Sequence, residues 1–75
     1  MTTKITLNSI KDVQNFVNLV NKYDFDIDLI SDRYVIDAKS IMGIYSLDLT
    51  KPITVHAHTE ENAEFLAELA PFIVE

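Results

Sequence analysis

Apolar and polar residues follow two kinds of spacing along this chain, and each kind predicts a different element. Strict alternation or a run of β-branched residues is typical of a strand, whereas apolar residues every three to four positions are typical of a helix. The predicted strands are 4–7, 24–29, 34–38 and 53–58, and the predicted helices are 10–23, 40–47 and 60–70. The predicted order is therefore strand, helix, strand, strand, short helix, strand, helix.

Capping residues indicate where the two longer helices begin. Ser9 is expected to cap the first helix by accepting a hydrogen bond from the amide of Asp12. Thr59 is expected to cap the last helix, with the two glutamates at 60–61 in its first turn, where they suit the helix dipole. Pro71 is expected to end or kink that helix, because proline has no N–H for the intrahelical bond.

The apolar residues of each element predict which face is buried. On the first helix they are Ile10, Val13, Phe16, Val17, Val20 and Tyr23. On the last helix Ala63, Leu66, Ala67 and Ala70 share one face, with Phe65 and Leu69 beside it. Three strands are apolar on one side only, so we expect a sheet covered by helices on one face.

The tight turn expected at Asp32–Arg33 makes the two middle strands antiparallel. With the helices on one face of the sheet, the fold class is α+β, an open two-layer sandwich. We find no internal repeat, linker or domain boundary, and so we expect a single domain over 1–75.

Composition narrows the classes of partner. The chain has 75 residues, no cysteine and a net charge of −6, and its six basic residues are scattered. Nucleic acid and anionic membranes both require clustered cations, so we expect neither as a partner. No cofactor is indicated, and no apolar segment suggests export or a membrane span. We expect a cytoplasmic protein, most simply a monomer, whose partners are other proteins or small cations.

The segment from Lys39 to Leu47, K-S-I-M-G-I-Y-S-L, contains the chain's only glycine, Gly43, where the backbone can turn sharply. This segment resembles the regulatory-serine segment of HPr, the small phosphocarrier of the bacterial sugar phosphotransferase system. The element order is also that of the HPr family. The resemblance implies an HPr-like open two-layer sandwich, βαββαβα, whose four-stranded antiparallel sheet is covered on one face by helices.

The resemblance also assigns roles within this segment. The serine matching Ser40 is phosphorylated by a dedicated kinase in Gram-positive members, and residues matching Ile41, Met42 and Tyr45 dock partner proteins. Partners implied in this way are a serine kinase, Enzyme I and a transcriptional regulator. From the residues alone, Ser40 is a helix N-cap and the three apolar residues are ordinary core packing, although exposed Met and Tyr side chains would indicate a contact surface.

The family's phosphoryl acceptor, a histidine at the start of the first helix, has no counterpart here. Ser9 takes the place of that histidine, Lys11 that of an arginine and Asp12 that of a proline. The family also often has glycine at the position of Arg33, so we expect a different turn type or one strained residue at Asp32–Arg33. A serine phosphate is a stable ester, whereas the relay needs the high transfer potential of a phosphoramidate, so we expect no catalytic residue.

The two histidines, His56 and His58, alternate with apolar residues on the last predicted strand and should face solvent on the open side of the sheet. They share a face and can ligate a divalent ion, but no third ligand is identifiable, so we predict no metal site. The leading hypothesis is a binding or regulatory module acting around Ser40. The alternatives are an active phosphocarrier with another acceptor, such as His56 or His58, and a generic protein-interaction domain.

Overall fold

The computed structural model of the protein describes residues 1–60 and 62–74, and the elements in this part of the chain follow the predicted order. The strands are β1 (Thr2–Ile5), β2 (Ile27–Ser31), β3 (Tyr34–Asp37) and β4 (Ile53–Ala57), and the helices are α1 (Ile10–Val20), α2 (Ile41–Tyr45) and α3 (Ala63–Leu69). A short 3₁₀ helix, Ala70–Phe72, continues directly from α3. Pro71 lies within it, so the predicted end of the helix near this proline is confirmed.

The four strands form one antiparallel sheet in the order β1-β4-β2-β3. In the register of β2 and β4, Asp28 lies opposite His56 and Leu29 lies opposite Val55. The C-terminal segment runs along the outer edge of β1, where the N–H of Val74 donates to the carbonyl oxygen of Lys4 at 3.0 Å. This confirms the four-stranded antiparallel sheet that the resemblance implies.

One face of the sheet carries the hydrophobic core. The fully buried side chains of the sheet and helices include Ile27, Leu29, Ile53, Val55, Val13, Phe16, Val20, Ile44, Phe65 and Leu69. The residues that alternate with the buried ones on β2 and β4 are only half-buried, among them Asp28 and His56. The helices therefore cover one face and leave the other open, as the alternation predicts.

The start of α1 confirms one prediction and corrects another. The Oγ of Ser9 accepts a hydrogen bond from the N–H of Asp12 at 3.1 Å, as expected for an N-cap. Ile10, which was predicted to face the core, is 67% exposed. Leu19 is buried instead. Ile10 is the first residue of α1, and its apolar side chain remains in solvent.

Strand boundaries differ from the predicted ones by one to three residues. β1 covers Thr2–Ile5 rather than 4–7, because the N–H of Thr6 bonds to the carbonyl of Phe72 instead of to the sheet. β2 begins at Ile27 rather than at residue 24. The preceding Phe25 is still half-buried, because its ring packs edge-on against that of Phe65 at a centroid distance of 5.5 Å.

The prediction for α3 was wrong in its cap and in its buried face. Asn62 is the N-cap, and its side chain accepts a hydrogen bond from the N–H of Phe65 at 3.0 Å. Thr59 and Glu60 precede the helix, and the prediction for residue 61 lies outside the described residues. The buried residues are Phe65 and Leu69, whereas the three alanines are exposed, namely Ala63, Ala67 and Ala70. Two large side chains remove more apolar area from water than three methyl groups do.

Two backbone predictions concern turns. Asp32 has a φ of 54°, so the predicted strain in the Asp32–Arg33 turn is confirmed and lies on the aspartate. Gly43 is different: it lies inside α2 and its φ is not positive, so the sharp turn expected there is wrong.

Candidate functional site

Ser40 lies at the N-cap of α2 and is exposed to solvent. Its backbone is extended, with φ −99° and ψ 105°. Its Oγ accepts a hydrogen bond from the N–H of Gly43, with 3.3 Å between the two atoms, and its carbonyl oxygen accepts from the N–H of Ile44. The capping role is therefore confirmed, and it leaves the serine at the surface.

The exposed apolar side chains of α2 lie directly after this serine. Met42 is 76% exposed and Tyr45 is 42% exposed, while Ile41 is half-buried. The core side of the helix is supplied by Ile44, which is fully buried. We call Ile41, Met42 and Tyr45 the α2 patch. Methionine and tyrosine are enriched in protein interfaces, and burial in this fold does not account for either side chain here.

Lys39 fixes the start of α2 against the end of α1. Its Nζ donates to the carbonyl oxygen of Tyr23 at 2.7 Å, and its backbone N–H donates to Oδ1 of Asp37 at 2.9 Å. The basic residue next to Ser40 is thus held in place by the fold, and so is the position of the serine.

The start of α1 holds Ser9, Lys11 and Asp12, the residues that the resemblance aligns with the family's acceptor site. The hydroxyl oxygen of Ser9 accepts the capping hydrogen bond from the N–H of Asp12. Oδ2 of Asp12 accepts a hydrogen bond from the N–H of Asn8 at 3.0 Å. Lys11 is exposed. An anion arriving at this helix N-terminus would be attracted by the backbone amides and by Lys11, but it would also meet the carboxylate of Asp12.

The histidines lie on the open face of the sheet, as predicted. His58 is exposed and His56 is half-buried. Nε2 of His58 lies 2.7 Å from Oδ2 of Asp28, a third polar residue that the sequence analysis did not connect with the histidines. The signal was present in the alternation of 24–29, which puts Asp28 on the solvent side. The register of β2 against β4 was needed to place it beside them.

A hydrogen-bonded cluster connects α3 to the end of α1. The hydroxyl of Tyr23 donates to Oε1 of Glu68 at 2.7 Å, and the ammonium group of Lys22 donates to Oε2 of the same carboxylate. These bonds, that from Lys22 first, hold the pKa of the Glu68 carboxyl below its usual value. Desolvation, and then the bond to Glu68, raise the pKa of Tyr23 to about 12. The cluster lies beside an open groove lined by Asn15, Asn18, Leu19, Lys22, Glu68 and Phe72.

A model of the PTS-HPr family, described as the phosphotransferase system HPr component phosphorylation site, matches residues 10–75 of the chain. The chain belongs to the PTS-HPr family. Members of this family are phosphocarriers of the phosphotransferase system rather than enzymes in the ordinary sense. The matched residues begin at Ile10 and so do not include Ser9.

Solved structures of this family are similar to the chain over nearly its whole length. An HPr from Thermoanaerobacter tengcongensis is 24% identical, with 97% of this chain and 90% of that chain covered and a TM-score of 0.78. The phosphocarrier protein HPr of Bacillus anthracis is 25% identical, with 99% and 96% covered and a TM-score of 0.73. The chain therefore has the HPr fold.

A third similar structure is Crh of Bacillus subtilis, a catabolite repression protein described as an intertwined dimer with a swapped domain. It is 27% identical, with 95% of this chain and 88% of that chain covered and a TM-score of 0.65. No curated protein sequence matches this chain. Within residues 1–60 and 62–74, no helix combines the length and the apolar character needed to cross a membrane.

Proposed function

We propose that this PTS-HPr protein does not relay phosphoryl groups and acts instead as a binding or regulatory module through Ser40 and the α2 patch. The observation that carries the proposal is the contrast between two helix starts. At α2, an exposed serine is followed by exposed Met42 and Tyr45. At α1, the serine that the resemblance aligns with the family's acceptor is a capping residue, and its Oγ accepts a hydrogen bond from the N–H of Asp12.

The chemistry at Ser9 supports the first half of the proposal. A carrier must accept a phosphoryl group and pass it on, which an imidazole nitrogen achieves because its phosphoramidate has a high transfer potential. A phosphate ester on Ser9 would be too stable to pass onward at a useful rate. The carboxylate of Asp12 would add repulsion to an incoming anion, although the exposed Lys11 offers partial compensation.

The surroundings of Ser40 support the second half. A kinase transferring the γ-phosphoryl group of ATP to Oγ would release ADP and a proton, and it would add roughly −1.5 to −2 charges beside the α2 patch. This added charge alters how an apolar surface fits a partner, either by pairing with a partner's arginine or by repulsion. The proposed partners are an HPr-type serine kinase and a transcriptional regulator that binds HPr proteins.

The relay is tested by incubating the purified protein with Enzyme I and phosphoenolpyruvate, with a histidine-bearing HPr as the positive control. We expect acid-labile phosphate on the control HPr and none on this protein. Acid-labile phosphate on this protein would contradict the proposal. If labelling then disappeared in His56→Ala or His58→Ala, the alternative of a carrier with a different acceptor would be correct.

The regulatory serine is tested by incubating two matched variants with an HPr-type kinase and ATP. The substituted serines lie at the two ends of α2. Ser40→Ala removes the proposed acceptor, whereas Ser46→Ala removes an exposed serine at the other end of the helix. We expect one phosphate on the wild type and on Ser46→Ala, and none on Ser40→Ala. Equal labelling of both variants would place the modification elsewhere.

The α2 patch is tested by binding to the regulator. Met42→Asp introduces a charge into the patch, and Val35→Asp introduces the same charge at a similarly exposed apolar residue on β3, where the two exposures are 76% and 63%. We expect Met42→Asp to weaken binding by about tenfold, as for a central interface residue, and Val35→Asp to leave it unchanged. If no HPr partner binds the wild type at all, a generic interaction domain becomes the better reading.

A further inference from the structure

The open face of the sheet brings together three side chains that can ligate a metal. His56 lies on β4 and His58 directly follows the strand, on the same face of the sheet, while Asp28 lies on the adjacent strand β2, opposite His56 in the register. One ligand atom from each residue can be chosen so that all three atoms lie within 4.8 Å of one another. None of the three side chains belongs to the surface around Ser40.

The distances among the three side chains are close to those within a set of metal ligands. Nε2 of His58 and Oδ2 of Asp28 are 2.7 Å apart, and the two imidazole rings lie with their centroids 4.5 Å apart. Ligand atoms bound to a tetrahedral zinc ion at about 2.0–2.1 Å are roughly 3.3 Å from each other. Binding therefore requires the Asp28–His58 contact to open slightly and the His56 ring nitrogen to move inwards. The His58 and Asp28 side chains are 47% and 32% exposed, so both have room for this rotation.

Charges of both signs lie near the three side chains. Asp37 on β3 lies opposite Asp28 in the register, so two aspartates continue the row across the sheet that begins at His56. The N-terminal ammonium group of Met1 donates to the carbonyl oxygens of Ala57 and Thr59 at 3.1 and 3.3 Å, and Lys4 lies opposite Thr54 on β4. The two aspartates offset these two cationic groups, and the net charge of −6 for the whole chain favours the approach of a cation.

We propose that Asp28, His56 and His58 bind one divalent transition-metal ion of the zinc type, with water in the remaining position. Two imidazoles and one carboxylate suit zinc, copper, nickel or iron, whereas magnesium and calcium prefer all-oxygen sites. Three protein ligands and a water are the usual set of an open zinc site. The ion would join β2 to β4 across the open face, independently of the proposed role of Ser40.

The experiment uses the untagged full chain, because a histidine tag would itself bind the probe. Zinc chloride is titrated into the protein by calorimetry, and calcium and magnesium chloride are titrated in parallel. We expect saturable binding of one zinc ion per chain and no comparable binding of the other two ions. Free zinc at about a hundred times the dissociation constant should raise the melting temperature by about 10–20 °C, because the ion binds only the folded chain.

Variants distinguish zinc binding at this site from nonspecific binding of zinc to an acidic protein. Asp28→Asn and His58→Gln each remove one ligand with little change of shape, and we expect the zinc affinity to fall by about a hundredfold or more in both. Asp24→Asn is the matched control, since Asp24 is an exposed aspartate outside the cluster. Circular dichroism and melting without metal show whether each variant is folded.

Ring resonances of both histidines, followed by NMR during the zinc titration, give a readout that does not depend on affinity. We expect both sets of ring signals to shift together and to saturate at one equivalent. The proposal is overturned if the wild type shows no saturable zinc binding, if Asp28→Asn and His58→Gln bind zinc as the wild type does, or if only one ring responds.

Discussion

The two-residue turn between β2 and β3 allows a prediction in which neighbouring glycine substitutions have opposite effects. Ser31 and Tyr34 are paired in the sheet, and Asp32 and Arg33 form the loop between them. Asp32 has a φ of 54°, and it is the only non-glycine residue with a positive φ in the described ranges. We expect Asp32→Gly to stabilise the protein and Arg33→Gly to destabilise it.

The magnitudes follow from two opposing contributions. The left-handed conformation costs an ordinary L-residue roughly 1–2 kcal/mol, and aspartate tolerates it better than most, so we take about 1 kcal/mol at Asp32. Introducing glycine makes the unfolded chain more flexible, which lowers the free energy of unfolding by roughly 0.4–1 kcal/mol at either position. Asp32→Gly should therefore gain about 0.3 kcal/mol. Arg33→Gly relieves no strain and should lose about 0.7 kcal/mol.

Thermal and urea unfolding of the two variants beside the wild type measures this difference. For a domain of this size 1 kcal/mol corresponds to roughly 4–8 °C, so we expect Asp32→Gly to melt about 1–2 °C higher and Arg33→Gly about 3–6 °C lower. Total stability of roughly 3–5 kcal/mol keeps both variants folded. A lower melting temperature for Asp32→Gly, or a higher one for Arg33→Gly, would refute the reasoning about the turn.

Two further predictions concern α2 and the contact between α1 and α3. Gly43→Ala should raise the free energy of unfolding by about 0.5–1 kcal/mol, because alanine is the better helix former and its Cβ would lie 3.4 Å from Cδ1 of Ile36, an ordinary contact; a fall in the melting temperature would contradict this. The hydrogen bonds from Lys22 and Tyr23 hold the pKa of Glu68 below its usual value, so the stabilisation they give is complete above that usual value and is lost as the pH falls through the lowered one. Glu68→Gln should therefore lose less stability than the wild type between about pH 6 and pH 3, and parallel unfolding curves against pH would exclude this contribution.

Local sequence signals were sufficient to predict the elements whose ends are marked by a capping residue or a short loop. Ser9 caps α1 and Ser40 caps α2, and each serine is a favoured capping residue directly before a stretch whose apolar spacing favours a helix. The hairpin between β2 and β3 was also predictable, since two β-rich stretches are separated by two residues. At these positions the local structure in the fold is the one that residues neighbouring in the sequence already favour.

The start of α3 shows where such signals become ambiguous. Thr59 and Asn62 are both good capping residues, three positions apart, and the two candidate faces of the helix are both apolar. The choice depends on packing: the ring of Phe65 fits against those of Tyr23 and Phe25, at centroid distances of 5.0 and 5.5 Å. Contacts between residues some forty positions apart leave no periodic signal in the sequence.

The same limit explains why the third member of the histidine cluster was missed. Alternation gave the correct face for both Asp28 and His56, but their proximity depends on β4 pairing with β2, a neighbour that is distant in the chain. An alternating pattern predicts which face of the sheet a side chain lies on, but it does not predict which strands pair.

The two faces of the sheet also bear on whether another residue could take over the carrier role. A carrier must offer its phosphoryl group on the surface that its partners contact, and the α2 patch lies on the helical side of the sheet. His56 and His58 lie on the open side, separated from α2 by the sheet and by the core beneath it. The two proposals, protein binding around Ser40 and metal binding at the histidines, therefore concern opposite faces of the sheet and can be tested independently.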